Sequence, residues 1–316
     1  MSGARRPDLF IIGAPKSGTT SLYEYLSGHP QVYMSPRKEP FYFCPDARVG
    51  PRPRLEYPAD EARYLELFAG AGDALRAGEA STRYLGSIDA PRLVRDFSPD
   101  AYIVASLREP VTMLQALHSE RVVNGNEDII DFATALAADE DRRDGRRLPP
   151  GANSRGSVYR DVASYADQLE RWLDAFPREQ VHVIVFDDLA SDTAATFRTL
   201  LEFLDVDSSY RPPTFAMHNS RYRPRRSIRA LTDSRVGRLG QRALRELIGE
   251  PRRAHLAHRF RQSRLARLPI DPKPIAPDVR AALQRDLEPQ VTRLNALLGR
   301  DLGALWFGVP AVRPAP

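Results

Sequence analysis

The sequence lacks most features that mark a secreted, membrane-spanning or metal-dependent protein. Its 316 residues include one cysteine, Cys44, which excludes an internal disulfide and a cysteine-only metal site. The six histidines have none of the spacings typical of metal ligands. No apolar run approaches the ~20 residues that span a bilayer, and Met1–Asp8 lacks the apolar core of a signal peptide. We therefore expect a cytoplasmic protein with no metal centre and no membrane span.

Lysine is also scarce, although the chain is rich in cations. Lysine and arginine together number 46, but only Lys16, Lys38 and Lys273 are lysines. A lysine ammonium is a compact charge on a flexible stem, whereas an arginine guanidinium is a planar fork. Because arginine fills nearly every other cationic position, Lys16 and Lys38 are candidate chemical positions.

Apolar runs of strand length alternate with segments of helical periodicity along the first two thirds of the chain. The predicted strands are Phe10–Gly13, Val32–Met34, Leu75–Ala80, Ala101–Leu107 and Val181–Phe186. This alternation predicts an α/β fold with a parallel sheet and helices on both faces. We expect one domain over residues 1–316, with a basic, mostly helical part from about residue 221. Residues 139–161 lack apolar periodicity and predict an exposed loop.

The stretch from Phe10 to Leu22, FIIGAPKSGTTSL, is the most informative one. A strand ending at Gly13 leads into a polar loop, and apolar residues recur at helical spacing from Thr19 onward. A loop that opens a helix presents free backbone N–H groups and the positive end of the helix dipole to an anion. Five side chains add donors: those of Lys16, Ser17, Thr19, Thr20 and Ser21. We therefore predict a P-loop-like phosphate site made by a strand, a loop and a helix.

The loop differs from that of nucleoside triphosphatases. Gly13 and Gly18 have the separation of the pattern Gly-x4-Gly-Lys-Ser/Thr, but Thr19 stands in place of the lysine. The segment Pro15–Thr20, Pro-Lys-Ser-Gly-Thr-Thr, instead resembles the 5′-phosphosulfate loop of the sulfotransferases that use 3′-phosphoadenylyl sulfate (PAPS). The resemblance implies that residues 16–21 bind the 5′-phosphate and that Lys16 neutralises charge on the leaving phosphate oxygen.

A candidate general base follows in the segment Lys38–Phe43, Lys-Glu-Pro-Phe-Tyr-Phe. A carboxylate suits this task when a lysine keeps it ionised and aromatic side chains exclude water. The segment resembles the Lys-Glu-Pro-x-Phe-Phe pattern of heparan-sulfate and related bacterial sulfotransferases. That resemblance implies that Glu39 takes the proton of the acceptor. The alternative is a surface Lys-Glu pair in front of a hydrophobic anchor.

A second phosphate site is predicted after the strand Ala101–Leu107, where Arg108-Glu109-Pro110 follows. Ligands of open parallel sheets bind at the carboxyl ends of the strands, so Arg108 should face the same crevice as Lys16. A guanidinium suits forked recognition of a phosphate. In the family this motif reads Arg-Asp/Asn-Pro, which implies that Arg108 binds the 3′-phosphate of PAPS.

Two positions depart from the family pattern. The family has Gly-Glu-Lys-Ser/Thr-Pro where this chain has Gly78-Glu79-Ala80-Ser81-Thr82, so the catalytic lysine is absent at Ala80. Its role is vacant or taken by Arg83. The family serine eight residues after the phosphate-binding arginine is Ala116 here, so one contact to the 3′-phosphate is missing. Gln115, Ser119 or a basic residue from elsewhere in the chain are the candidates to replace it.

The segment from Arg221 to Arg267 holds 15 arginines and three acidic residues, a formal charge of +12. Such a segment suits an anionic ligand, or it is a solvated basic face. Its first part matches in position the family's late basic loop, so the resemblance implies that Arg225 and Arg226 bind the nucleotide. Nucleic acid is not expected, since interleaved aromatic residues are absent.

We therefore predict a PAPS-dependent sulfotransferase that needs no metal. It would move the sulfuryl group of PAPS in line to a hydroxyl or amine of a glycan, lipid or secondary metabolite, and release 3′-phosphoadenosine 5′-phosphate (PAP). One alternative is a nucleotide- or polyanion-binding protein without catalysis, favoured by Ala80 and Ala116. The other is an atypical P-loop kinase, against which Thr19 argues.

Overall fold

The computed structural model describes residues 5–47, 58, 60–149, 152–215, 222–224, 267–269 and 274–308. The strands of its main sheet are β1 (Leu9–Gly13), β2 (Val32–Met34), β3 (Arg76–Ala80), β4 (Tyr102–Leu107) and β5 (Val181–Val185). They lie in the order β2-β3-β1-β4-β5, and every neighbouring pair is parallel. The prediction of an α/β fold with a parallel sheet is therefore confirmed.

Thirteen α-helices lie in the described part of the chain. In order they are α1 (Thr19–Ser27), α2 (Glu61–Leu65), α3 (Ala90–Phe97), α4 (Pro110–Asn124), α5 (Phe132–Ala137), α6 (Asp139–Arg143), α7 (Ser154–Ser157), α8 (Tyr159–Val162), α9 (Tyr165–Ala175), α10 (Phe186–Ser191), α11 (Thr193–Phe203), α12 (Pro277–Leu298) and α13 (Leu302–Phe307). Of the helices described, none has both the length and the apolar character to cross a bilayer.

Strand β1 is central and buried along its whole length. Phe10 and Ile12 belong to one hydrophobic cluster, and Leu9 and Ile11 belong to another on the opposite face of the sheet. Successive side chains of a strand point to opposite faces. A strand covered on both faces therefore has a continuous apolar sequence, which is why β1 was recognisable before its partners were known.

Residues 139–161 do not form the exposed loop that we expected. Their described part contains α6, α7 and α8, and the side chains of Arg142 and of Glu127, outside the segment, are fully buried with 2.8 Å between Nη2 and Oε1. Tyr159 donates a hydrogen bond to the same carboxylate at 2.9 Å. The prediction was wrong because it looked for apolar periodicity, whereas a paired and hydrogen-bonded arginine is buried here.

The basic part from about residue 221 is described only in pieces. Strand β6 (Tyr222–Pro224) pairs antiparallel with β7 (Arg267–Pro269), and β6 lies near α4. Arg225 and Arg226 lie outside the described residues. The prediction of one domain with a mostly helical basic part stays a prediction.

Candidate functional site

The loop between β1 and α1, residues 14–18, has the backbone of an anion site. Gly18 is the N-cap of α1 and has a left-handed φ of 83°, and a Cβ atom there would lie 3.0 Å from Cδ2 of Leu189. Glycine is therefore required by both conformation and space. Since glycine has no side chain to cap the helix, the first N–H groups of α1 are left for a ligand.

Strand β4 fixes this loop from below. The Ser106 hydroxyl donates to the Ser17 carbonyl at 2.6 Å, and the Ala14 N–H donates to the Ser106 carbonyl at 2.7 Å. Ser17, Thr19 and Ser21 are buried, whereas Thr20 is partly exposed. The loop is thus held by the hydroxyl and the carbonyl of Ser106 before any ligand binds, which lowers the entropy cost of binding.

Lys16 extends from the loop toward α4. Its backbone is left-handed, with φ of 60°, and its ammonium lies 3.0 Å from Oε2 of Glu120. Desolvation alone would raise the pKa of the Glu120 carboxyl, but Lys16, and to a lesser extent Lys38, hold that pKa below its usual range. Two of the chain's three lysines therefore act on one carboxylate.

Glu120 was missed in the sequence. It lies one helical turn beyond Ala116 on α4, and residues four apart share a helix face. Ala116 had been singled out because it follows Arg108 at the family's serine position. Extending the helix face of Ala116 by one turn would therefore have identified Glu120 from the sequence.

Glu39 is held by donors on both oxygens. Lys38 Nζ lies 3.0 Å from Oε1, the Thr82 N–H donates to Oε2 at 3.1 Å, and the Thr82 hydroxyl donates to Oε1 at 3.1 Å. The side chains of Lys38 and Glu39 are 12% and 23% exposed. Glu39 is thus a half-buried carboxylate whose charge is balanced by a lysine. It follows β2 in the chain but lies next to the carboxyl end of β3 in space.

Arg108 lies at the carboxyl end of β4, beside the loop of Lys16, as the sequence predicts. Its Nη1 donates to the Lys16 carbonyl at 3.2 Å, and its guanidinium carbon lies 4.8 Å from the ring centroid of Phe186, the first residue of α10. The guanidinium therefore lies between the phosphate loop and the end of β5. The structure brings Arg108 to the same edge of the sheet as Lys16.

Ala80 is fully buried, and its methyl group provides no cation at this position. Arg83, the candidate substitute, stacks over the Phe41 ring at 4.8 Å. The cation that contacts Glu39 is instead Lys38. Within the described residues, no group of three or more histidine, cysteine or acidic side chains is arranged to hold a metal.

A second carboxylate, that of Glu79 on β3, is fully buried. It accepts hydrogen bonds from the hydroxyls of Ser81 at 2.6 Å, Tyr84 at 2.7 Å and Tyr64 at 2.9 Å. Burial raises the pKa of Glu79 to about 7, although the three hydrogen bonds act in the opposite direction. Glu79 is therefore only partly ionised at neutral pH, and its ionised form is held at a cost in stability.

We expect Glu79→Gln to remove a pH dependence of stability. The pKa of Glu79 is about 7 in the folded chain against the model-peptide value of 4.5. The wild-type contribution is therefore complete below pH ~4.5 and is lost as the pH rises through 7. Relative to the variant, the wild-type free energy of unfolding should fall by about 3 kcal/mol between pH ~4 and ~8. Urea denaturation of both proteins over that range measures it, and parallel curves would contradict it.

Similarity to known proteins was found in sequence and in structure. Residues 160–238 match the family model described as "Sulfotransferase domain". Mouse carbohydrate sulfotransferase 15 is 27% identical over 77% of this chain and 51% of its own length. The chain thus spans about half the length of that relative.

Two solved structures are similar over nearly the whole chain. A sulfotransferase from Alicyclobacillus acidocaldarius is 30% identical, with a TM-score of 0.69, and the match covers 96% of this chain and 99% of the other. Mouse sulfotransferase SULT7A1, solved in complex with PAP, is 14% identical with a TM-score of 0.51 and matches 97% of this chain and 90% of its own. The second likeness concerns the fold alone.

Proposed function

Because this chain belongs to the sulfotransferase family, we propose that it transfers the sulfuryl group of PAPS to a hydroxyl or amine and releases PAP. One observation carries the proposal: the carbonyl of Lys16, in the phosphate loop, accepts a hydrogen bond from Arg108. The Arg108 guanidinium thus lies against the loop that opens α1, the same loop that carries Lys16. PAPS carries phosphate groups at both its 5′ and its 3′ position, which this arrangement suits.

The proposed nucleotide contacts divide between the loop and Arg108. The N–H groups at the start of α1 and the hydroxyls of residues 17–21 would bind the 5′-phosphate. Arg108 would bind the 3′-phosphate, because it lies beside the loop and has a planar fork of donors. Its stacking on Phe186 restrains the guanidinium and so lowers the entropy lost on binding.

The proposed chemistry needs one proton acceptor and one cation. Glu39 would take the proton of the acceptor group as its oxygen or nitrogen forms a bond to sulfur. The bond between sulfur and the 5′-phosphate oxygen breaks in the same step, and its electron pair stays on that oxygen. Lys16 would neutralise this growing charge. PAPS supplies the activated sulfuryl group, and the residues supply position and charge, as in phosphoryl transfer.

The acceptor is proposed only by class, as a glycan, lipid or secondary metabolite with a free hydroxyl or amine. The name of mouse carbohydrate sulfotransferase 15 supports testing carbohydrates first. Lys38 pairs with Glu39, Glu120 pairs with Lys16, and Arg83 stacks on Phe41, two residues after Glu39. An acceptor that reaches Glu39 would therefore meet charges of both signs.

Incubation of the purified protein with PAPS and an acceptor library, followed by mass spectrometry, tests the function. We expect PAP together with a product heavier by one sulfuryl group, and neither product when ATP replaces PAPS. Phosphoryl transfer from ATP would favour a kinase. Tight binding of PAP or heparin with no turnover over a broad library would favour a binding protein.

Arg108→Ala should weaken PAP binding far more than binding of adenosine 5′-phosphate, since only PAP has a 3′-phosphate. The lost charge-assisted hydrogen bonds contribute about 1.5–3 kcal/mol, or roughly 10- to 150-fold in affinity. Isothermal titration with both nucleotides measures the difference. Arg92→Ala is the control, because Arg92 is exposed and paired with Asp96 on α3. Equal losses for both nucleotides would refute the assignment.

A further inference from the structure

The segment of residues 39–44, which begins with Glu39, has an unusual backbone. Glu39 has a φ of 63° and Phe41 has a φ of 53°. Residues other than Gly, Asn and Asp rarely adopt this left-handed region. Two such residues separated by one proline persist only where the surroundings over-determine them. The position of the Glu39 carboxylate therefore depends on what anchors this segment.

Three N–H groups of the segment provide the anchors. That of Glu39 donates to the Ala80 carbonyl at 2.9 Å, which is an ordinary main-chain contact. That of Phe41 donates to the Ser81 hydroxyl at 3.1 Å, and that of Phe43 donates to the Tyr84 hydroxyl at 3.2 Å. Two of the three anchors are thus side-chain oxygens, whose directions depend on where their own protons point.

Glu79 fixes where those protons point. Both hydroxyls donate to its carboxylate, Ser81 to Oε2 and Tyr84 to Oε1. A hydroxyl has one proton. Once that proton is donated to Glu79, the hydroxyl oxygen can only accept, and the N–H groups of Phe41 and Phe43 need such an acceptor. An ionised carboxylate only accepts, and it therefore sets both hydroxyls at once. A protonated Glu79 would also donate, which weakens this directionality.

Glu79 itself does not face the crevice. Its side chain is fully buried, as are those of Ser81 and Tyr84. Within the described part of the chain, its hydrogen bonds join it to Tyr64, Ser81 and Tyr84 and to no residue proposed to bind PAPS. A buried carboxylate is costly, and its raised pKa reflects that cost. Glu79 lies close enough to the proposed base for the Glu39 charge to raise its pKa, and perturbed groups near a reacting group tend to serve function.

We propose that Glu79 is a positioning residue that, through the Ser81 and Tyr84 hydroxyls, holds the backbone of Phe41 and Phe43 and so aims Glu39 at the acceptor. Its effect on turnover rests on the proposed role of Glu39, whereas its effect on the backbone does not. The groups that face Glu79 are Tyr64 from α2, Ser81 and Tyr84 after β3, and Cys44 and Glu39 from the anchored segment. None of these is a cation.

Two tyrosines provide a matched pair for the test. Tyr64 and Tyr84 are both fully buried and both donate to Oε1 of Glu79, but only Tyr84 also accepts from the Phe43 N–H. Tyr84→Phe should speed hydrogen exchange of the Phe43 amide by about tenfold or more and lower kcat by about tenfold, with PAP affinity unchanged. Tyr64→Phe should change each by less than about threefold. Equal effects of the two variants on exchange would overturn the inference.

Glu79→Gln tests the carboxylate itself. The amide can accept through only one atom, so at least one of the Ser81 and Tyr84 hydroxyls loses its acceptor, and exchange of the Phe41 or the Phe43 amide should quicken. The kcat of the wild type should rise as the pH passes through about 7, with Glu79 ionising, and this rise should be missing in the variant.

In a Glu39→Gln background, Glu79→Gln should cost little further activity, because the two act as a unit. Full additivity would overturn the positioning role.

The outcomes also separate this inference from the proposed function. If Glu39→Gln keeps full activity, the base assignment fails, yet faster exchange of Phe43 in Tyr84→Phe would still support the anchoring role of Glu79. If exchange is unchanged in both Tyr84→Phe and Glu79→Gln, the inference fails whatever the activity. Exchange is read on the whole chain with and without PAP, so no acceptor is needed for this part.

Discussion

Lys16→Ala is expected to reduce turnover by roughly 10³-fold, the upper range for the loss of one electrostatic stabiliser, while PAP binding weakens much less. Lys16 is proposed to act on charge that grows only as the sulfur–oxygen bond breaks, and an interaction confined to the transition state changes kcat rather than ground-state affinity. The backbone N–H groups at the start of α1 remain in the variant and keep most of the phosphate affinity. Formation of PAP measures turnover, and isothermal titration measures binding.

The position of Lys16 makes a conservative variant informative. Its side chain is 22% exposed, and its ammonium lies 3.0 Å from Oε2 of Glu120, so rotation about the bonds of the side chain would let it leave this partner for a phosphate. Lys16→Arg keeps the charge but replaces a compact ammonium by a planar fork, and it should recover part of the rate. Unchanged turnover in Lys16→Ala would remove this residue from the mechanism.

Glu39→Gln is expected to lower kcat by roughly 10²-fold or more, the usual scale for a general base, and to leave nucleotide affinity unchanged. Glutamine has nearly the same shape, and its oxygen can still accept from Thr82, so the loss would report the missing proton acceptor. Activity over a range of pH and titration with PAP are the measurements. Glu66→Gln is a control, because Glu66 is exposed and pairs only with Arg63 among its described ion pairs. Near-full activity of Glu39→Gln at every pH would show that the base lies elsewhere.

Much of the fold followed from local sequence. The bounds of strands β1 to β5 were predicted to within one residue at each end. For β1 and β4 this was possible because strands buried on both faces are short, largely apolar runs. The phosphate loop was recognisable for a related reason. An N–H-lined turn at a helix N-terminus is built from neighbouring residues, and Gly18 is required there by its own backbone.

Segments stabilised by distant partners were not predicted. The helices within residues 139–161 depend on Arg142, whose partner Glu127 lies 15 residues away and whose burial has no apolar signature. Glu120 becomes a site residue only because α4 packs beside the phosphate loop, which brings it to Lys16 across 104 residues of chain. Charge pairs of this kind leave no periodic pattern in the sequence.

The sequence by itself determined the parallel α/β sheet, the phosphate loop and the two candidate residues Glu39 and Arg108, since each is encoded by a contiguous segment with its own local physics. Tertiary structure alone decided which groups surround them. Distances between separate elements decide that Lys38 rather than Arg83 contacts Glu39, and that Glu120 contacts Lys16. They also decide how Glu79, through Ser81 and Tyr84, anchors residues 39–44. A linear pattern contains residue types, whereas hydrogen bonds and ion pairs need distances of about 3 Å, and only packing sets these.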